Sequence, residues 1–181
     1  MSKIKGEEEM LIKKKERLLK IAKKLYSRKD VQKILVKEAA HREVATRFFD
    51  FFSKRPDIIQ YEQDIVSLVE KGATSFHFSE ELWKDPLKLS TSLNKVELNK
   101  LRIGWTLLID IDSPYFDFSK QTALLLAKAL EKHGVEHYGI KFSGGTGFHL
   151  AISHEAFPNK VSGIAIKDFF PEGPRIISKY L

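Results

Sequence analysis

Two stretches, Leu107-Leu108-Ile109-Asp110-Ile111-Asp112 and Lys141-Phe142-Ser143-Gly144-Gly145-Thr146-Gly147-Phe148-His149, decide how this chain is read. In an extended strand, successive side chains point to opposite faces. The first stretch therefore turns Leu107, Ile109 and Ile111 toward a core and sets Asp110 and Asp112 side by side on the other face. With Trp105 and Thr106 it reads as a central strand over 105–112, stopped by Pro114. Two carboxylates about 6–7 Å apart along one face repel unless something neutralises them. A divalent cation does so and also bridges phosphate oxygens. The plainer alternative is a strand end entering solvent, with Asp112 opening a turn at Ser113-Pro114.

The second stretch reads as two strands, 137–143 and 148–153, around a glycine-rich turn. Glycines let backbone N–H groups approach phosphate oxygens, and Lys141, Ser143 and His149 add donors around Gly144, Gly145 and Gly147. Hairpins also use glycine for ordinary reasons, so register carries the argument. If Ile140 and Phe142 face the same core as Leu150 and Ile152, Phe142 pairs with Leu150 and Ile140 with Ile152. Ser143 then stands opposite His149 on the outer face, with Lys141 opposite Ala151, across a five-residue loop 144–148. A four-residue loop would pair Ser143 with Phe148 and turn His149 inward.

Working outward, residues 7–27 carry Leu11, Leu18, Ile21, Ala22 and Leu25 at helical spacing between lysines. Asp30 is a candidate N-cap for a second helix through Val31, Ile34, Leu35, Val44 and Phe48. Phe48, Phe49, Phe51 and Phe52 read as a core anchor, with a base-stacking surface as the alternative. Residues 57–71 read as a third helix closed by Gly72, and 74–79 alternate like a short strand. Ser119 can cap a helix to about His133, and Pro174 opens a last one. The fold class is α/β (α+β): a basic helical region over 1–72 and an α/β core over 73–181.

The chain has 181 residues and no cysteine, which removes disulfides and cysteine-held zinc or iron–sulfur sites. No HExxH pair occurs, so a metal here is a hard cation on carboxylates, Mg²⁺ or Mn²⁺. No apolar run approaches the ~20 residues that span a bilayer, and no secretory leader is visible, which reads as a cytoplasmic protein with no membrane partner. Residues 1–54 hold 16 Lys and Arg against 8 Asp and Glu, and so carry all of the net +7 charge. That is an electrostatic footprint for nucleic acid or a lysine-rich solvated face.

Taken together, these motifs resemble the archaeo-eukaryotic primase superfamily, which includes the primase small catalytic subunit and the polymerase domain of bacterial DNA ligase D. Its hydrophobic-Asp-hydrophobic-Asp motif is similar to Leu108–Asp112, and its SGxxGxH motif is filled by Ser143–His149. Weaker likenesses lie at His41–Ala45, at Phe76–Ser79 with Asp85-Pro86, and at Pro174–Leu181, so the resemblance spans roughly 40–181. It implies a primase-type catalytic core with an RRM-like sheet. It also implies Asp110 and Asp112 as catalytic ligands of two Mg²⁺ or Mn²⁺ ions. Lys141, Ser143, Gly144, Gly145, Thr146, Gly147 and His149 would bind the triphosphate of an NTP or dNTP.

The reaction implied is primer synthesis or extension on a DNA template, by two-metal phosphoryl transfer, in replication or repair. Two departures stand out. The family's third carboxylate follows the last helix, where this chain stops, and its cysteine zinc knob is absent. Either the chain is an N-terminal piece of a longer enzyme, or a large primase subunit or second polypeptide completing the fold is an expected partner. The alternative is a non-catalytic primase-fold module that binds nucleic acid or another subunit. A stand-alone phosphohydrolase is disfavoured, since nothing supplies a nucleophile or general base.

Overall fold

The computed structural model describes residues 2–181, with side chains from residue 6 onward, as two compact units. One comprises the residues up to Ser79 together with Trp83–Leu93, and the other Glu80–Leu82 with Asn94–Leu181. Among the described residues, no helix is long and apolar enough to cross a membrane.

The first unit contains α1 (Ser2–Tyr26), α2 (Lys29–Ala39), β1 (Val44–Phe48), β2 (Phe51–Phe52), α3 (Glu62–Glu70) and β3 (Ser75–Phe78). Its antiparallel sheet runs β2-β1-β3. Val44 stands opposite Phe78 and Thr46 opposite Phe76, so one face is apolar. That face closes a core with Ala39, Ile59, Ile65 and Val69, to which Tyr26 and Leu35 add. Helices therefore cover one side of the sheet, while Arg47 and His77 on the other side are exposed.

Several expectations are corrected here. The second helix ends at Ala39, and Val44–Phe48 is a strand. Its β-branched and aromatic residues alternate with the pleat, and His41 leaves the helical region at φ 63°. Asp30 lies in the first turn of α2, bonded to Arg28, and is not the cap. The third helix starts only at Glu62, with an Asp64 carboxylate accepting from the Tyr61 N–H. It does close on Gly72, whose φ of 102° suits glycine. Phe51 and Phe52 are 63% and 49% exposed, so only part of the phenylalanine cluster anchors a core. The boundary expected at 72–73 falls inside this unit, because β3 pairs with β1.

The second unit contains the first two residues of β4 (Glu81–Trp83), α4 (Lys95–Leu101), β5 (Arg102–Trp105), β6 (Leu107–Ile111), α5 (Phe116–Lys132), β7 (Gly139–Gly144) and β8 (Gly147–Ile152). Two short strands, β9 (Lys160–Val161) and β10 (Ile164–Ala165), and α6 (Glu172–Tyr180) complete it. The main sheet is antiparallel with order β6-β8-β7, so the aspartate strand is an edge and β8 the centre. Leu107, Ile111, Leu150 and Ile152 are buried with Trp105 and with Ala123 and Leu130 of α5. Ser119, expected to cap α5, is instead buried within it; the helix starts at Phe116. The chain is thus mixed α and β with small antiparallel sheets.

Leu150 has no exposed surface at the centre of this sheet. Leu150→Ala is expected to cost about 2–5 kcal/mol, read as a lower urea midpoint by tryptophan fluorescence. Leu125→Ala, on an α5 residue 65% exposed, should stay within about 0.5 kcal/mol.

Candidate functional site

Burial of alternate residues fixes what β6 and β8 offer on the face away from the core. Ile109 pairs with Leu150 and Ile111 with Phe148, on the face that holds the core residues Ile111 and Leu150. The residues between them must point outward. Asp110 pairs directly with His149, and His149 on its other side pairs with Lys141. Asp110, His149 and Lys141 thus form one row across three strands. The Nε2 of His149 lies 3.4 Å from Oδ1 of Asp110. The Asp110 side chain is 69% exposed, so water screens this contact and leaves it weak.

This row differs from the register expected from the sequence. Lys141, not Ser143, stands opposite His149; Phe142 stands opposite Phe148, and Ile140 opposite Leu150. The five-residue loop is replaced by a two-residue turn, Gly145-Thr146, between the paired Gly144 and Gly147. The pairing shifts between Phe142 and Gly144, so Ser143 is the extra residue of a β-bulge. Gly144 and Gly145 take φ values of 109° and 59°, which glycine tolerates best.

The bulge has a consequence for the site. A Cβ on Gly147 would sit 2.7 Å from Oγ of Ser143, 3.1 Å from the Ile111 carbonyl and 3.4 Å from Oδ1 of Asp112. Ser143 and Asp112 therefore converge over the one residue of β8 that has no side chain. The Thr146 hydroxyl donates to the Ser113 carbonyl and reaches Oδ1 of Asp112 at 3.4 Å. Asp112, Ser113, Pro114 and Thr146 line an open depression of about 260 Å³. Asp110, Asp112, Lys141, Ser143, Thr146 and His149 thus all belong to the bare side and turn of one hairpin and its neighbour strand. What sequence reasoning missed is the direct Asp110–His149–Lys141 alignment, which only the bulge reveals.

The donor set fits a hard cation in part. Two exposed carboxylates and two hydroxyls are oxygen donors of the kind Mg²⁺ and Mn²⁺ take. Among the described residues, no group of three or more His, Asp or Glu is drawn together closely enough to hold an ion by itself. Mg²⁺ commonly binds through one or two carboxylates, with water and substrate phosphates supplying the rest.

No family model matches the chain, and no solved structure matches it. The chain is similar to an uncharacterized protein of Methanocaldococcus jannaschii, 33% identical over 78 residues. That stretch covers 42% of this chain and 17% of the relative's length.

Gly147→Ala should push a methyl into Ser143 and the Ile111 carbonyl, lowering stability by roughly 1–3 kcal/mol. Gly139→Ala meets nothing within 4 Å and should leave the urea midpoint within about 0.5 kcal/mol of the parent.

Proposed function

We propose that this chain carries the nucleotide-binding site of a primase-like nucleotidyltransferase, with Asp110 and Asp112 as ligands of Mg²⁺ or Mn²⁺. The observation that carries this reading is the outward row Asp110–His149–Lys141, with Asp112 and Ser143 gathered beside it over Gly147. Acidic and phosphate-binding groups share one bare face, which is the arrangement a metal-bound triphosphate needs. When bound, the cation would neutralise charge shared between the carboxylates and the phosphate oxygens.

The chain's own residues divide that work. Lys141 brings a full positive charge, exposed and without a carboxylate partner among the described residues. His149 adds a ring nitrogen donor held against the strand pair, and the Ser143 hydroxyl a third. Gly144 and Gly145 leave the turn backbone without side chains to block an approaching phosphate. Asp110 and Asp112 stay accessible from the same side. With two carboxylates only, metal and nucleotide should bind together rather than in sequence, each supplying ligands or charge that the other lacks. Template, primer and any completing subunit belong to the same proposal, as does a role in primer synthesis or extension.

Isothermal titration tests this directly. Mn²⁺ alone should bind weakly, and an NTP or dNTP should tighten it at least tenfold. Asp110→Ala, Asp112→Ala and His149→Ala should each weaken metal-dependent nucleotide binding by about tenfold or more, roughly 1.4 kcal/mol. Unchanged nucleotide affinity in the Asp110 and His149 variants would sink the assignment.

A further inference from the structure

The sheet of the first unit has a second face that the helices do not cover. On it, Arg47 of β1 pairs with Phe52 on one side and Ser75 on the other, and Ala45 pairs with His77. The Phe52 and His77 rings meet edge to face, their centroids 5.1 Å apart. Ala45 lies on β1 between their strands and leaves room for them. Beside them, the Arg47 guanidinium stands 5.7 Å from the Phe52 ring centroid. Its Nε donates to the Phe49 carbonyl at 2.7 Å, which fixes the plane. Its two terminal nitrogens make no hydrogen bond among the described residues.

The same Arg47 and Ser75 also line a hollow of about 300 Å³ with Lys14, Lys15 and Asp50. Three cations face one carboxylate there. Asp50 lies 3.7 Å from Lys15, which leaves Lys14 and Arg47 without an acidic partner among the described residues. Aromatic surface and uncompensated positive charge are therefore adjacent, joined by one arginine.

We infer that this face binds single-stranded nucleic acid, a base stacking on Phe52 beside His77 and Arg47 and the neighbouring phosphate sitting in the Lys14–Lys15–Arg47 hollow. Bare antiparallel strands bearing aromatic rings are a general stacking platform for unpaired bases, and arginine adds cation–π attraction and a phosphate contact. The charge argues for this occupant over a protein partner: residues 1–54 carry an excess of eight positive charges, and the exposed aromatics lie among them. A duplex hides its base faces, so it should bind here less well. This inference places the base on the sheet face and, of the lysines of α1, gives a phosphate contact to Lys14 and Lys15, which border that face; it does not rest on the aspartate site.

The test is fluorescence anisotropy of the full chain with labelled dT12 and U12 oligonucleotides, in EDTA so that metal-dependent nucleotide binding plays no part. The parent chain should bind both, with a duplex competing poorly. Phe52→Ala should weaken binding by about 5- to 150-fold, the range that loss of one stacked base gives, and Phe52→Tyr should restore most of it. Arg47→Ala should also flatten the dependence of log affinity on log salt by about 0.7. Phe118→Ala, an exposed ring of the other unit, should change nothing. Two results would overturn the inference. One is the absence of oligonucleotide binding by the parent chain, which would give the face to a protein. The other is parent-like binding by both Phe52→Ala and Arg47→Ala.

Discussion

Leu150 is fully buried in the middle strand of its sheet, with Ile109 on one side and Ile140 on the other. Removing such a side chain from water contributes roughly 1.5–3 kcal/mol, and only one pleat of β8 permits it. With Leu150 and Ile152 turned toward α5, His149 and Ala151 have no choice of direction. The partner strands follow, since Ile109 and Ile111 must meet the same apolar layer. Asp110 is forced outward beside His149 by a packing requirement that involves neither residue. A one-residue slip of β8 would bury His149 and expose Leu150, so the candidate site is as secure as the core behind it.

The electrostatics of that bare face allow it to exist without a ligand. Two carboxylates about 6–7 Å apart in water repel by only about 0.6 kcal/mol, far less than the burial that positions them. Both are exposed, and Asp110 has His149 at 3.4 Å. The pair can therefore stand side by side until something of opposite charge arrives. A bound triphosphate would change the balance, since its own negative charge must then be met by a cation, Lys141 and the donors near the turn. That is why the same residues read as a plain solvated strand edge in isolation and as a binding site once a polyanion is considered.

How much of this is legible in the sequence depends on what a period of two can distinguish. The faces of β6 and β8 follow from alternation alone, and Asp110, Asp112 and His149 lie on the expected side. The register between β7 and β8 does not follow. Sliding β7 by two residues keeps Ile140 and Phe142 on the apolar face, so the burial pattern is satisfied equally by Ile140 opposite Ile152 and by Ile140 opposite Leu150. Turn chemistry decides between them, and the deciding feature is a bulge at Ser143, which no apolar pattern encodes. The fusion of α2 with β1 into a single helix has a related cause. Val44 and Phe48 fit a helical spacing of four as well as a strand spacing of two, and the break lies at His41, whose positive φ is not visible in its residue type.

The phenylalanines make the same point about composition. Phe48 packs on the core of the first unit, and Phe51 stacks on it from the neighbouring strand with centroids 5.5 Å apart. Phe52, next in the chain, must face the other way. A tight turn at Phe49-Asp50 sits between β1 and β2, with Phe49 at φ 55°, so a cluster that looks uniform in sequence is divided between two environments. Four aromatics in five positions cannot all reach one core when the chain is extended, because alternation sends every second side chain to the opposite face. Where helices cover only one face of a sheet, the residues sent to the other side must be tolerated by water or used. Aromatic rings beside an anchored arginine are a poor solution to solubility alone, and a flat ligand laid on that face would take them out of water.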